Sequence, residues 1–266
     1  MPEFHVHIKR CRHLFEARIW CVCAFPSVEQ AQGWVVDIWI QVCEQRGEML
    51  ELTDRLRTMI TDYGWHARGT VAKVVATLVD ATWGLAVLSG TALKAKCKVL
   101  LTEDGFAHED VDARKKYPYH PIIKTALQTI WFEKKKSRGI QHEEYFSPIP
   151  VPTLALLLTA MEYCIERCAT GKRDTDASFD EANNKTPFQR HLKRLTEWDS
   201  LLPEATLEYR QQLYDECREA AGAPAIVKPV TGLSDNRRAQ ALEEIQAMQR
   251  SMAAQRVAQA AAATND

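Results

Sequence analysis

The chain has 266 residues, of which 46% are hydrophobic and 26% charged, with a formal net charge of −1 and a pI of about 6.7. That balance excludes a mainly disordered chain, and it excludes a protein that holds nucleic acid by a global positive charge. No run of about 18 apolar residues occurs, so no membrane-spanning helix is expected.

The first feature in chain order is "HVHIKRCRHLFEARIWCVC" (5–23), with three histidines and three cysteines. Phe4, Val6 and Ile8 alternate with His5, His7 and Lys9, which predicts a short strand with its histidines on the wet side. Phe15, Ile19 and Val22 then recur at helical spacing. The apolar run "IWCVCAF" is short, and Glu16 and Arg18 precede it, so a secretory signal is not expected. Were this segment a metal site, its ligands would be His5, His7, Cys11, His13, Cys21 and Cys23. Zinc knuckles space cysteines by about two to four residues, however, and Cys21-Val-Cys23 leaves one. Residues 1–24 are therefore read as an N-terminal extension, and neither a metal nor a cofactor is expected.

From Ser27 the pattern is helical. "SVEQ" is a capping box, and Ala31, Trp34, Val35, Ile38, Trp39 and Val42 form one apolar face. Leu52, Leu56, Met59 and Ile60 predict a second helix closed by Tyr63–Gly64. A third, with Val71, Val75, Val79 and Trp83, starts after Arg68–Gly69. "LKAKCKVLL" (93–101) is read as a short helix and 102–121 as a loop. Pro121 opens a helix carrying Ile122, Ile123, Ala126, Leu127, Ile130 and Trp131. Prolines 148, 150 and 152 hold the next stretch extended, and Thr153 then caps a helix to about Cys168. Its first two turns are apolar all round, as in a helix buried on every side. A polar loop follows, then one helix with Phe188, Leu192, Leu195 and Trp198, and another with Leu207, Tyr209, Leu213, Tyr214 and Cys217. Residues 222–234 read as a linker, and 235–266 as an Ala/Gln-rich tail, helical or disordered. The prediction is all-α: a single irregular multi-helix globular domain (25–221) around a buried central helix at about 153–168, with a helical C-terminal tail.

Particular stretches carry a resemblance: "FPSVEQ" with Trp34, "ARGTV" (67–71), "HPIIKTALQTIWF" (120–132), the segment from Gly139 through "PIPVPTLALLLTAMEYCIERCATGKR", and "HLKRL" (191–195). They resemble an uncharacterised domain family of mushroom-forming fungi over about residues 25–202. The resemblance implies an all-helical fold and a fungal origin, and it carries no activity, cofactor or catalytic residue. Relatives continue the central helix with an acidic residue and a Trp before "TG", where this chain has Arg167, Cys168 and Ala169.

Several clusters invite chemistry. "TGKR" (170–173) lacks the upstream glycine of a phosphate loop and follows a helix, whose end presents carbonyls. Cys164 and Cys168, like Glu162 and Glu166, sit at i,i+4 without the further ligands a metal requires. His108, His120 and His142 lie in loops around one helix and converge only if the fold brings them together. The best basic patch is Lys134, Lys135, Lys136 and Arg138, candidate phosphate contacts. The cysteines suit buried, reduced thiols of an intracellular protein, nuclear or cytoplasmic. The leading expectation is a non-enzymatic protein-interaction or scaffold module with a protein partner. The alternatives are a nucleic-acid or chromatin-associated protein that uses the patch, and an enzyme whose site is assembled from loops.

Overall fold

The structure, a computed structural model, describes residues 3–224 and 235–262. The chain divides into two compact units, Met1–Ala225 and Ile226–Asp266. The described residues form no β-strand, and a lone bridge pairs Asp110 with Lys115. The fold is all-α, as predicted.

The first unit contains helices α1 (Glu3–Cys21), α2 (Val28–Arg46), α3 (Asp54–Thr61), α4 (Tyr63–Trp83), α5 (Gly90–Leu101) and α6 (Pro121–Trp131). After them come the single turns α7 (Arg138–Gln141) and α8 (Glu143–Phe146), then α9 (Val151–Glu166), α10 (Glu181–Leu201) and α11 (Pro203–Ala220). Short 3-10 turns lie at Leu85–Val87 and Thr102–Ala107.

Helix α9 is the centre of the core. α4 and α10 pack along it, with α1, α5 and α6 completing the sheath. Every residue from Thr153 to Glu162 is buried. Burying each leucine of "LALLL" is worth about 1.5–3 kcal/mol relative to leaving it in water, so this segment anchors the domain. The start of the helix differs from the expectation. Pro150 stands at the cap, and Thr153 lies inside the first turn, where its hydroxyl donates to the Trp20 carbonyl at 2.9 Å.

The N-terminal segment corrects the sequence reading most. Residues 3–21 are one helix, where a short strand and then residues at helical spacing were expected, and it packs against α2, α3, α4 and α9. Its inner face holds His7, Cys11, Leu14, Phe15 and Ile19, none more than 1% exposed. The alternation of Phe4, Val6 and Ile8 is incidental. The true period runs through a buried histidine, which a hydrophobic template skips.

Gly64 explains a second difference. It does not close a helix; it lies in the first turn of α4, and a Cβ there would stand 3.4 Å from both Phe15 and Ile19. That is ordinary contact distance, so α1 packs directly over the start of α4, and Asp62 alone separates α3 from α4.

The Ser27 cap forms as predicted, its hydroxyl accepting from the Gln30 amide at 3.2 Å. α10 begins earlier than predicted because the Asp180 side chain caps it through the Asn183 amide at 2.9 Å. In α11 Leu207 is 48% exposed, so the inner face there belongs to Thr206, Leu213, Tyr214 and Cys217. In the second unit, α12 (Asp235–Ala262) forms the helical tail, with Leu242, Ile245 and Met248 more than half exposed. Most of the predicted 222–234 linker lies outside the described residues.

Candidate functional site

An acid in the middle of an apolar helix needs a partner, because an unpaired buried charge costs several kcal/mol. Glu162 of α9 is only 8% exposed, and α10 supplies what it needs. The Arg190 guanidinium donates to one carboxylate oxygen, and His191 Nε2 lies 2.8 Å from the other. Burial works to raise the Glu162 pKa. The His191 hydrogen bond and charge, with Arg190, outweigh it and hold the carboxyl below the usual range. One turn further along α10, Arg194 donates to Asp104, a 6% exposed acid in the 3-10 turn. Asp104 Oδ2 also faces His191 Nδ1 at 3.9 Å. The result is a ladder of Arg190, Glu162, His191, Asp104 and Arg194, alternating cation and carboxylate around a fully buried imidazole.

The backbone that holds Asp104 is strained. Glu103 and Asp104 both have φ of 53°, and Arg114 and Lys116 in the same connection have 55° and 59°. Each L-residue in this left-handed region costs about 1–2 kcal/mol, and such costs persist only where the surroundings impose them. A cavity of about 290 Å³ opens beside the turn, lined by Glu103, Asp104, Tyr117 and Arg194. The Tyr117 hydroxyl is buried without a hydrogen-bond partner, and burial, then the Asp104 charge, pushes its pKa up.

A second buried polar cluster joins α1 to α7 and α8. Glu16 is 7% exposed, and burial pushes its pKa up to about 7 against the opposing pull of Arg138 and Arg12. His13 is pushed down to about 4 by burial, then by Arg138 and His142. His142 is fully buried, with Nδ1 3.5 Å from Glu144.

A third feature is apolar. Beyond α2 the chain turns at Gly47 and folds back, fixed where Trp39 Nε1 donates to the Leu50 carbonyl at 2.9 Å. This leaves a groove of about 670 Å³ lined by Trp39, Ile40, Met49 and Leu50 together with Glu44, Glu48 and Glu51. Ile40 is 50% exposed and Met49 99%.

The residues singled out in the sequence are dispersed. Lys134, Lys135 and Lys136 are exposed, whereas Arg138 faces Glu16 at 3.6 Å. The three loop histidines do not converge on one site. His108 Nδ1 lies 3.1 Å from the Asp104 carbonyl, the His120 ring caps α6 through the Ile122 amide, and His142 belongs to the α1 cluster. Cys164 is a buried thiol with its pKa pushed up to about 12, and burial also raises Cys168. In the N-terminal set His5 is exposed, His7 stacks near Trp39, and burial pushes Cys11 up to about 12. Among the described residues, the group of His, Cys or acidic side chains that brings three donor atoms within 4.8 Å of one another is Asp104, Glu162 and His191. Two signals could have found it. One is an acid set within the apolar run of a helix, and the other is the Arg-His-x-x-Arg row on α10.

No curated protein matches the chain, and no solved structure does. A family model described as "Domain of unknown function (DUF6532)" matches residues 10–198, beginning inside α1 and ending inside α10, and the chain belongs to that family.

Proposed function

We propose that this protein is an interaction module that binds a basic, amphipathic segment of a partner protein in the groove beyond α2. The observation that carries the reading is the groove itself. An apolar groove open to water is a docking feature, and Glu44 and Glu51 beside it favour Lys and Arg on whatever docks, Glu48 being paired with Arg46 and His7. An intracellular setting is supported by the cysteines, all eight of which are free thiols, seven of them buried. The nucleic-acid reading keeps three exposed lysines but has Arg138 turned onto Glu16.

Selection of displayed random peptides on the full chain tests the proposal. Enriched sequences should interleave Lys or Arg with large apolar residues at three- and four-residue spacing. They should lose binding to a chain carrying Ile40→Asp and Met49→Asp. Enrichment that ignores both substitutions, or no enrichment, refutes it.

A further inference from the structure

Glu162 accepts a hydrogen bond from His191 Nε2, which leaves Nδ1 as the ring nitrogen turned toward Asp104. That Nδ1 is fully buried, has no hydrogen-bond partner, and faces the Asp104 carboxylate across 3.9 Å. A buried ring nitrogen with no partner, set opposite a carboxylate, is a place that a cation can fill.

We propose that this gap is a binding site for a divalent transition-metal ion. His191 Nδ1 and the Asp104 carboxylate are the direct ligands, and Glu162 is the carboxylate that fixes the imidazole. A carboxylate on the far nitrogen of a ligating histidine is the usual outer support of such an ion, since it sets both tautomer and ring direction. Ligand bonds of about 2.0–2.2 Å at a tetrahedral angle place two donors roughly 3.4 Å apart, so closure by about half an ångström completes the pair. The cavity on the other side of Asp104, with Glu103 on its wall, is the route by which water would reach an ion held there. The mixed imidazole and carboxylate donors select zinc-like or manganese-like ions over magnesium.

The two arginines set the strength of the site. Glu162 and Asp104 are already neutralised by Arg190 and Arg194, which lie on the solvent side with side chains 39% and 46% exposed. An added ion therefore brings uncompensated charge, and Arg194 competes with it directly for Asp104. This makes a distinctive prediction. Removing a ligand weakens binding, whereas removing the competing cation strengthens it.

The test is equilibrium dialysis of the chelator-stripped full chain against Zn²⁺, with Mg²⁺ as control and Co²⁺ as an absorption reporter. The expected result is one Zn²⁺ per chain, a Co²⁺ spectrum without thiolate charge transfer, and no Mg²⁺ binding. Asp104→Asn, which removes a ligand, should abolish Zn²⁺ uptake, Glu162→Gln should weaken it about 10–100-fold, and Arg194→Gln should tighten it. Arg194 is partly exposed, so its variant remains informative if the buried substitutions fail to fold. Absence of binding in both the wild type and Arg194→Gln overturns the proposal. So does binding that the Arg194 and Asp104 substitutions leave unchanged, because the ion then sits elsewhere.

Discussion

Replacing Glu162 by Gln isolates the charge of the ladder at nearly constant volume. The carboxylate accepts from Arg190 on one oxygen and from His191 on the other. A glutamine has one oxygen and no charge, so it keeps at most one of these charge-assisted bonds, and its NH₂ opposes the Arg190 guanidinium or meets His191 Nε2 only if the ring proton moves to Nδ1. Charge-assisted hydrogen bonds are worth about 1.5–3 kcal/mol each. The Arg190 side chain is 39% exposed, so water replaces much of its share, whereas His191 is fully buried and out of reach of water. The net loss is about 2–4 kcal/mol, a fall in Tm of roughly 5–12 °C for a domain of this size. Urea unfolding at several pH values supplies the check. The Glu162 pKa lies below its unfolded value of 4.5 in the folded chain. Its contribution is therefore present above that value and lost as pH falls through the lowered one. The gap between wild type and variant should be full at pH 7 and close on acidification. A loss under about 0.5 kcal/mol at pH 7, the size of an ordinary surface change, or a gap that widens in acid, refutes the reasoning.

Two further substitutions test the packing of α1. Glu16 has the opposite linkage to Glu162: its folded pKa is raised from 4.5 to about 7, so its contribution is present below pH 4.5 and lost as pH rises through 7. Glu16→Gln should therefore stabilise the chain by about 2–3 kcal/mol at pH 8 and change little at pH 4, read from urea midpoints. Gly64→Leu should cost about 1–3 kcal/mol by wedging α1 from α4, and unchanged thermal unfolding would show that the two helices do not depend on their close approach.

The sequence reads clearly where one residue type does one job. Ser27 caps, Pro121 starts a helix, and the run from Leu154 to Leu158 is apolar on every side. Each was legible because local chemistry and tertiary role agree. α1 was not, because its inner face includes His7 and Glu16, polar residues whose burial depends on Trp39, Glu48 and Arg138 elsewhere in the chain. Gly64 was misread for a related reason. It lies in the first turn of a helix under α1, and no local pattern distinguishes that from a stop. The ladder was legible only in halves. Glu162 and the Arg190–Arg194 row stand in the sequence as an i,i+4 acid and an ordinary basic stretch. Asp104 sits in a turn-forming "TEDG" whose burial is set by α10.

The ladder and the groove also differ in how each answers to change. In the groove the glutamates stand beside an apolar lining that opens to water, so charge substitutions there alter docking with little effect on folding. The ladder lies against α9, whose first two turns present apolar side chains on all faces and so carry no strong rotational preference of their own. Glu162 can be satisfied in one place, beside Arg190 and His191, and a slip of either helix would strand a charge. The ladder thus favours one register of α9 against α10, as single polar groups do in helical bundles. Because the groove belongs to α2 and residues 47–51 and the ladder to α9, α10 and the 3-10 turn, the two proposals share no residue. Met49→Asp should abolish peptide docking and leave Zn²⁺ uptake intact, and Asp104→Asn should do the reverse.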